Sequence, residues 1–303
     1  MDKKALSNPQ SYFRSCTTLF IMTGVLIMGP IQSHAGQPGS VRKPAVAGQF
    51  YSDNPVELKR DIESYLSKGK KLSSPPVMII SPHAGYVFSG PVAAMGYATI
   101  DKKVNTVFII GPSHHAWFEG VSIADVDSFE TPLGRVALNA GIIAKFRQSS
   151  IVHSVPQADN PEHSVEVQIP FLQVMLPTFS IVPIVMGNID PASVADLILP
   201  FLTPSTLVVA SSDFSHYKSN AQARRLDDQS IQTILSGNET GSIDACGEKP
   251  IRVVMHLAKK LSLSPVLLDA RTSYDTAPQY GPPDRVVGYV SIVYVKKNEA
   301  QNK

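Results

Sequence analysis

Three short runs of aliphatic and β-branched residues in this chain each lead into a histidine. Val77-Met78-Ile79-Ile80 runs into Ser81-Pro82-His83. Val107-Phe108-Ile109-Ile110 runs into Gly111-Pro112-Ser113-His114-His115, and Leu207-Val208-Val209-Ala210 into Ser211-Ser212-Asp213-Phe214-Ser215-His216. Unbroken apolar runs of this length read as strands buried on both faces, as in a parallel sheet covered by helices. In such sheets ligands bind beyond the carboxyl ends of the strands, where the loops into the following helices converge. If the three runs are parallel neighbours, four histidines and an aspartate meet in one crevice.

The rest of the chain continues the alternation. Strands are expected over 77–81, 107–111, 181–186, 206–211, 266–268 and 286–295. Helices are expected over 55–66, 91–100, 139–148, 165–175, 192–201, 221–235 and 251–261, with Pro170 placing a kink or a later start in the fourth. Neither repeats nor a linker-like break follow Pro76, so residues 36–303 read as a single α/β domain with helices on both faces of a central sheet.

The N-terminus reads as an address. Lys3, Lys4 and Arg14 precede an uncharged stretch over 17–31, followed by Ser33-His34-Ala35. A basic start, a short apolar run and a small-x-Ala site predict a signal peptide over 1–35 and export to the periplasm or beyond the cell. The alternative is an uncleaved N-terminal anchor, although the run falls short of the roughly 20 apolar residues that span a bilayer. This segment holds three of the 27 basic and one of the 25 acidic residues, so the net charge of +2 belongs to it and 36–303 is balanced. That balance argues against nucleic acid or an anionic membrane surface as a partner, and no membrane insertion is expected after cleavage. Cys16 leaves as well, so Cys246 has no partner for an internal disulfide. It is a buried thiol, an intermolecular partner or a metal ligand.

Imidazole is the commonest side-chain metal ligand, and a metal needs donors brought from distant sequence to one point. That singles out His83 and one of the pair His114 and His115, whereas His153 and His256 read as surface or helix positions. Cys246 stands just ahead of a helix, where the dipole and free N–H groups favour a thiolate. Glu162, His163 and Glu166 open the helical stretch before Pro170, either pointing into the crevice or capping the helix. Phosphate-cradling GxxxxGKS/T, GxGxxG, GxSxG, HExxH and paired CxxC motifs are all missing.

In order along the chain stand Arg42 to Tyr51 (RKPAVAGQFY), Pro82-His83-Ala84-Gly85-Tyr86, Gly111 to His115 (GPSHH), Thr131-Pro132-Leu133-Gly134, Glu162-His163-Ser164-Val165-Glu166, Ser211 to His216 (SSDFSH), Cys246-Gly247 and Val286-Val287-Gly288-Tyr289. This ordered set resembles the Memo family (mediator of cell motility), whose bacterial members are called AmmeMemoRadiSam system protein B. The resemblance implies a three-layer α/β/α fold with a mixed central sheet, similar to class III extradiol dioxygenases, non-haem iron enzymes that open catechol rings. It implies a metal held by His83, His114 and Cys246, with Asp213 and His216 beside it, and partners from a radical-SAM-containing gene system. Cysteine stands where the dioxygenases have a carboxylate, so ring cleavage does not follow from the fold.

The expected function is a metal-dependent oxidoreductase acting on a small molecule, with iron as the first choice of divalent metal and copper or zinc also accepted. His216 would be its acid/base, oriented by Asp213, with His163 and Glu166 as further catalytic candidates. The alternative is a metal- or partner-binding module that keeps the crevice without the chemistry.

Overall fold

A computed structural model describes residues 39–296, and the expected signal peptide lies outside the described residues. The strands are β1 (Val41–Arg42), β2 (Met78–Ser81), β3 (Thr106–Pro112), β4 (Val121–Ser122), β5 (Ser128–Thr131), β6 (Gly134–Ala137), β7 (Val152–His153), β8 (Ser180–Met186), β9 (Thr206–Ser211), β10 (His216–Lys218), β11 (Leu263–Thr272) and β12 (Val286–Lys296). The helices are α1 (Pro55–Leu66), α2 (Tyr86–Tyr97), α3 (Ala140–Phe146), α4 (Pro156–Asp159), α5 (Ile169–Met175), α6 (Pro191–Ile198), α7 (Asn220–Leu235), α8 (Glu248–Leu261) and α9 (Ser273–Thr276).

A nine-stranded sheet runs β10-β12-β2-β9-β3-β8-β4-β7, with β11 beside β12. Its centre, β2, β9, β3 and β8, is parallel, while β12 and β4 pair antiparallel with β2 and β8. The sheet is therefore mixed. Val107 to Ile110 and Leu207 to Ala210 are wholly inaccessible, as strands covered on both faces must be. Helix α8 lies against β3 and β9 with α6 packed on it, while α2 lies against β2 and β12 and is joined by α1 and α5.

Local chemistry sets the helix ends. Asn54 accepts hydrogen bonds from the Val56 and Glu57 N–H groups ahead of Pro55, and Asp190 caps α6 in the same way ahead of Pro191. Pro170 cannot supply an interior N–H, so the stretch expected over 165–175 is a 3-10 turn at Glu166–Gln168 followed by α5. The helix expected from Pro91 begins at Tyr86, whose N–H donates to Phe50 O at 2.7 Å, and it ends at Tyr97. A separate sheet of β1, β5 and β6 ties the start of the domain to the middle of the chain. Among the described residues no helix is long and apolar enough to cross a membrane.

Candidate metal centre

Strands β2, β9 and β3 lie side by side and parallel, with Ser81 level with Ser211. The three histidine-bearing ends therefore open at one edge of the sheet. Cys246 arrives there from the loop before α8, its N–H donating to Asp213 O at 3.2 Å. Gly247 follows it, and a Cβ at that position would lie 2.6 Å from Ser211 O and from Ser212 Cβ. Only glycine lets this loop close so tightly on the strand end.

One ligand atom from each of His83, His114 and Cys246 lies within 4.8 Å of the others. Cys246 Sγ is 3.2 Å from His83 Nε2. The second nitrogen of each imidazole is committed elsewhere. Ser211 Oγ donates its single proton to Ser164 O (2.5 Å) and accepts from Gln168 Nε2 (2.9 Å), so its 2.9 Å contact with His83 Nδ1 is one in which the ring donates. The Gln168 amide orientation is fixed in turn, because its Nε2 donates to Pro82 O at 2.9 Å and its Oε1 accepts from Tyr97 Oη at 2.7 Å. His83 thus carries its proton on Nδ1 and turns the Nε2 lone pair towards Cys246.

Glu162 does the same for His114. Burial alone would raise its pKa, but hydrogen bonds from the His114 ring and from the His114 and Ser164 N–H groups hold it at about 2. A carboxylate can only accept, so His114 Nδ1 donates to Glu162 Oε1 at 2.8 Å and leaves Nε2 free. Such partners orient metal-binding imidazoles and raise their basicity. The set His114, Glu162 and His163 also has metal-like spacing, yet Glu162 already accepts these three hydrogen bonds.

His163 stacks on His114 with ring centroids 4.5 Å apart and meets His83 edge-on at 5.3 Å. Burial pushes its pKa down to about 4. Burial also holds His83 well below the usual range, helped by its histidine neighbours, and lowers His216. These rings are neutral at pH 7. His216 opens β10 opposite Val287, and the register breaks before Lys218 with Tyr217 at φ 57°. Tyrosine seldom adopts a left-handed backbone, and bulges of this kind re-aim side chains beside functional sites.

Asp213 is buried, which raises its carboxyl to about 7 against the lowering effect of the His83 and Ala84 N–H groups. Its Oδ1 accepts from the His83 N–H at 2.7 Å, and among the described residues no hydrogen bond joins it to the His216 ring. It holds the backbone of the β2 loop. Glu166 sits apart from the donor atoms. Its oxygens accept from Arg42 Nη1 (2.6 Å), Ala45 N (2.7 Å), Val46 N (3.0 Å) and Tyr51 Oη (2.6 Å), which pins the Arg42–Tyr51 segment to the domain. Arg42 Nη2 also donates to Glu162 O at 2.6 Å.

A family model described as Memo-like protein matches residues 42–293. The chain belongs to the Memo family. A MEMO1 family protein of Thermoplasma volcanium is 35% identical over 266 residues, covering 84% of this chain and 98% of the relative. One from Sulfolobus acidocaldarius is 36% identical over 282 residues, covering 83% and 98%, and one from Pyrobaculum aerophilum is 35% identical over 285 residues, covering 84% and 99%. The α/β fold with its large mixed sheet is the one this family membership leads one to expect. Of the expected site residues, the Memo family fold brings His83, His114, Cys246 and His163 into one cluster. Glu162, Ser211 and Gln168 join as the groups that aim the imidazoles. Glu162 was readable beside His163, whereas Ser211 and Gln168 show their part only once distant segments meet.

Proposed function

We propose that this Memo family protein binds a divalent transition metal through His83 Nε2, His114 Nε2 and the Cys246 thiolate, and uses it in oxidoreductase chemistry on a small molecule. The observation that carries the reading is the convergence of three donor atoms within 4.8 Å, with both imidazole protons locked on the far nitrogens. Metal bonds of about 2.0–2.3 Å place tetrahedral donors about 3.3–3.8 Å apart, which this cluster meets with small side-chain adjustments. A nitrogen and sulfur donor set suits iron, copper or zinc and disfavours magnesium or calcium. When bound, iron or copper supplies Lewis acidity and one-electron redox capacity.

The remaining chemistry belongs to the chain. Burial pushes the Cys246 thiol up to about 12, reinforced by Asp213, so taking up a cation at this cluster releases a proton to solvent or to a nearby base. His163 and His216, both neutral at pH 7, are the groups able to receive it or to move a substrate proton. Asp213, poised near neutrality, keeps the His83 loop in place. The family match covers residues 42–293 and leaves the N-terminal apolar run outside it; the reading of that run as an export signal rests on its own basic start, short apolar stretch and small-x-Ala site.

The test is anaerobic loading of the purified protein with Fe(II), followed by oxygen uptake in the presence of catechols or thiols. Stoichiometric metal with turnover that His216→Ala lowers supports the oxidoreductase reading. Tight and reversible metal uptake with no turnover would instead make the protein a metal-binding module.

A further inference from the structure

Cys246 also lines a cavity of about 300 Å³. Its walls come from the loop after β3, the end of β8 and the first turn of α8, and they include Trp117, Asn188, Cys246 and Lys249. Two of its side chains are incompletely used by the protein. Lys249 Nζ donates to Gly187 O and to Asn188 Oδ1, both at 3.1 Å, and among the described residues no carboxylate lies within ion-pair reach of it. An ammonium has three donors, so one is left over beside the cavity. The other wall charge, Glu248, is paired with Arg252 at 2.8 Å.

Trp117 is the second. It is 78% exposed, and among the described residues its indole has neither a ring partner nor a hydrogen bond. This exposure is not the play of a loose loop. Ser113 Oγ donates to Ala116 O at 2.6 Å before the tryptophan, and Asn188 N–H donates to Phe118 O at 2.7 Å after it. An exposed indole is thus carried on a fixed stretch of backbone beside a cavity that has one spare cationic donor and is lined in part by Cys246.

We propose that this cavity is a recognition subsite for a small planar anion, an aromatic carboxylate, with its ring on Trp117 and its carboxylate on Lys249. The proposal rests on the metal-centre reading above and names its substrate class, because a ligand seated here abuts Cys246. The volume is at the lower end of the roughly 300–1,000 Å³ typical of ligand pockets, which suits a single ring. Stacking supplies the body of the affinity, and the charge-assisted hydrogen bond selects anion over neutral isostere.

Trp117 is the sole tryptophan of the chain, so its fluorescence reports this cavity alone. The full chain, metal-free and zinc-loaded, is titrated with benzoate, benzamide and cyclohexanecarboxylate. Benzoate is expected to give a saturable change at least about tenfold tighter than benzamide, the worth of one charged hydrogen bond. Cyclohexanecarboxylate should bind more weakly than benzoate, and Lys249→Met should erase the preference for benzoate over benzamide. Calorimetry on Trp117→Leu should show a comparable loss of benzoate binding. Absence of saturation, or equal affinities for benzoate and benzamide in the unmutated protein, overturns the subsite. The two readings separate in the unmutated protein: saturable benzoate binding without stoichiometric metal uptake keeps the subsite and removes the metal centre. Metal binding without benzoate binding in the unmutated protein does the reverse.

Discussion

Replacing Ser211 by alanine should weaken metal binding at the His83–His114–Cys246 cluster while leaving the protein folded. The hydroxyl accepts the His83 Nδ1 proton at 2.9 Å, in surroundings where the imidazole is only 2% exposed. Without it the ring has two poor choices. Keeping the proton on Nδ1 leaves a buried donor unpaired, at about 1–3 kcal/mol. Moving it to Nε2 occupies the lone pair that faces Cys246. Loss of an outer-shell partner of this kind typically lowers metal affinity about 10- to 100-fold, or about 1.4–2.8 kcal/mol. The assay is competition for Zn(II) or Co(II) against a chelator, with urea unfolding of the metal-free proteins run in parallel. Nitrogen-15 correlation spectra of the His83 ring read the tautomer directly, with Nδ1–H expected in the unmutated protein. Metal affinity within about twofold of the unmutated protein, or an Nε2–H tautomer before mutation, would refute the reasoning.

Three further outcomes are expected. Glu162→Gln turns an acceptor into a donor towards the His114 backbone N–H or ring, and should lower metal affinity about 10- to 100-fold, measured by the same competition. Glu166→Gln leaves Arg42 buried without its ion partner and should cost about 3–5 kcal/mol in urea unfolding, with unchanged metal affinity in the folded fraction; lost turnover at unchanged stability would instead place Glu166 in the chemistry. Burial raises Asp227 from 3.8 to about 6 in the folded state, so folding takes up a proton and stability falls as pH rises through that window. Asp227→Asn lacks this slope and should be more stable than the parent above pH 6 by about 1–3 kcal/mol, read by denaturation at pH 5 and pH 8.

The sheet was legible because its central strands are unbroken apolar runs, and β9 has the expected bounds. The short strands β1, β4, β5, β6, β7 and β10 were not, since so few residues carry no period and their pairing depends on tertiary contacts. His83 and the pair His114 and His115 could be picked out because they follow strand ends, and Cys246 because it precedes a helix; the choice of His114 within the pair came from the family resemblance. Of the groups that aim them, Glu162 was readable beside His163, but Ser211 and Gln168 were not. Ser211 meets His83 from 128 residues away, Gln168 meets Ser211 from 43, and Arg42 reaches Glu166 across 124. Glu166, expected either in the crevice or as a helix cap, is instead the anchor of the first segment, since its four donors come from residues that only folding brings near.

The central claim, that Cys246 joins two tautomer-locked histidines in holding a metal, is tested most directly by Co(II) substitution. The unmutated protein should take up stoichiometric cobalt with a thiolate-to-metal charge-transfer band, and Cys246→Ala should lose the band and most of the affinity. An identical spectrum and stoichiometry in Cys246→Ala would contradict it.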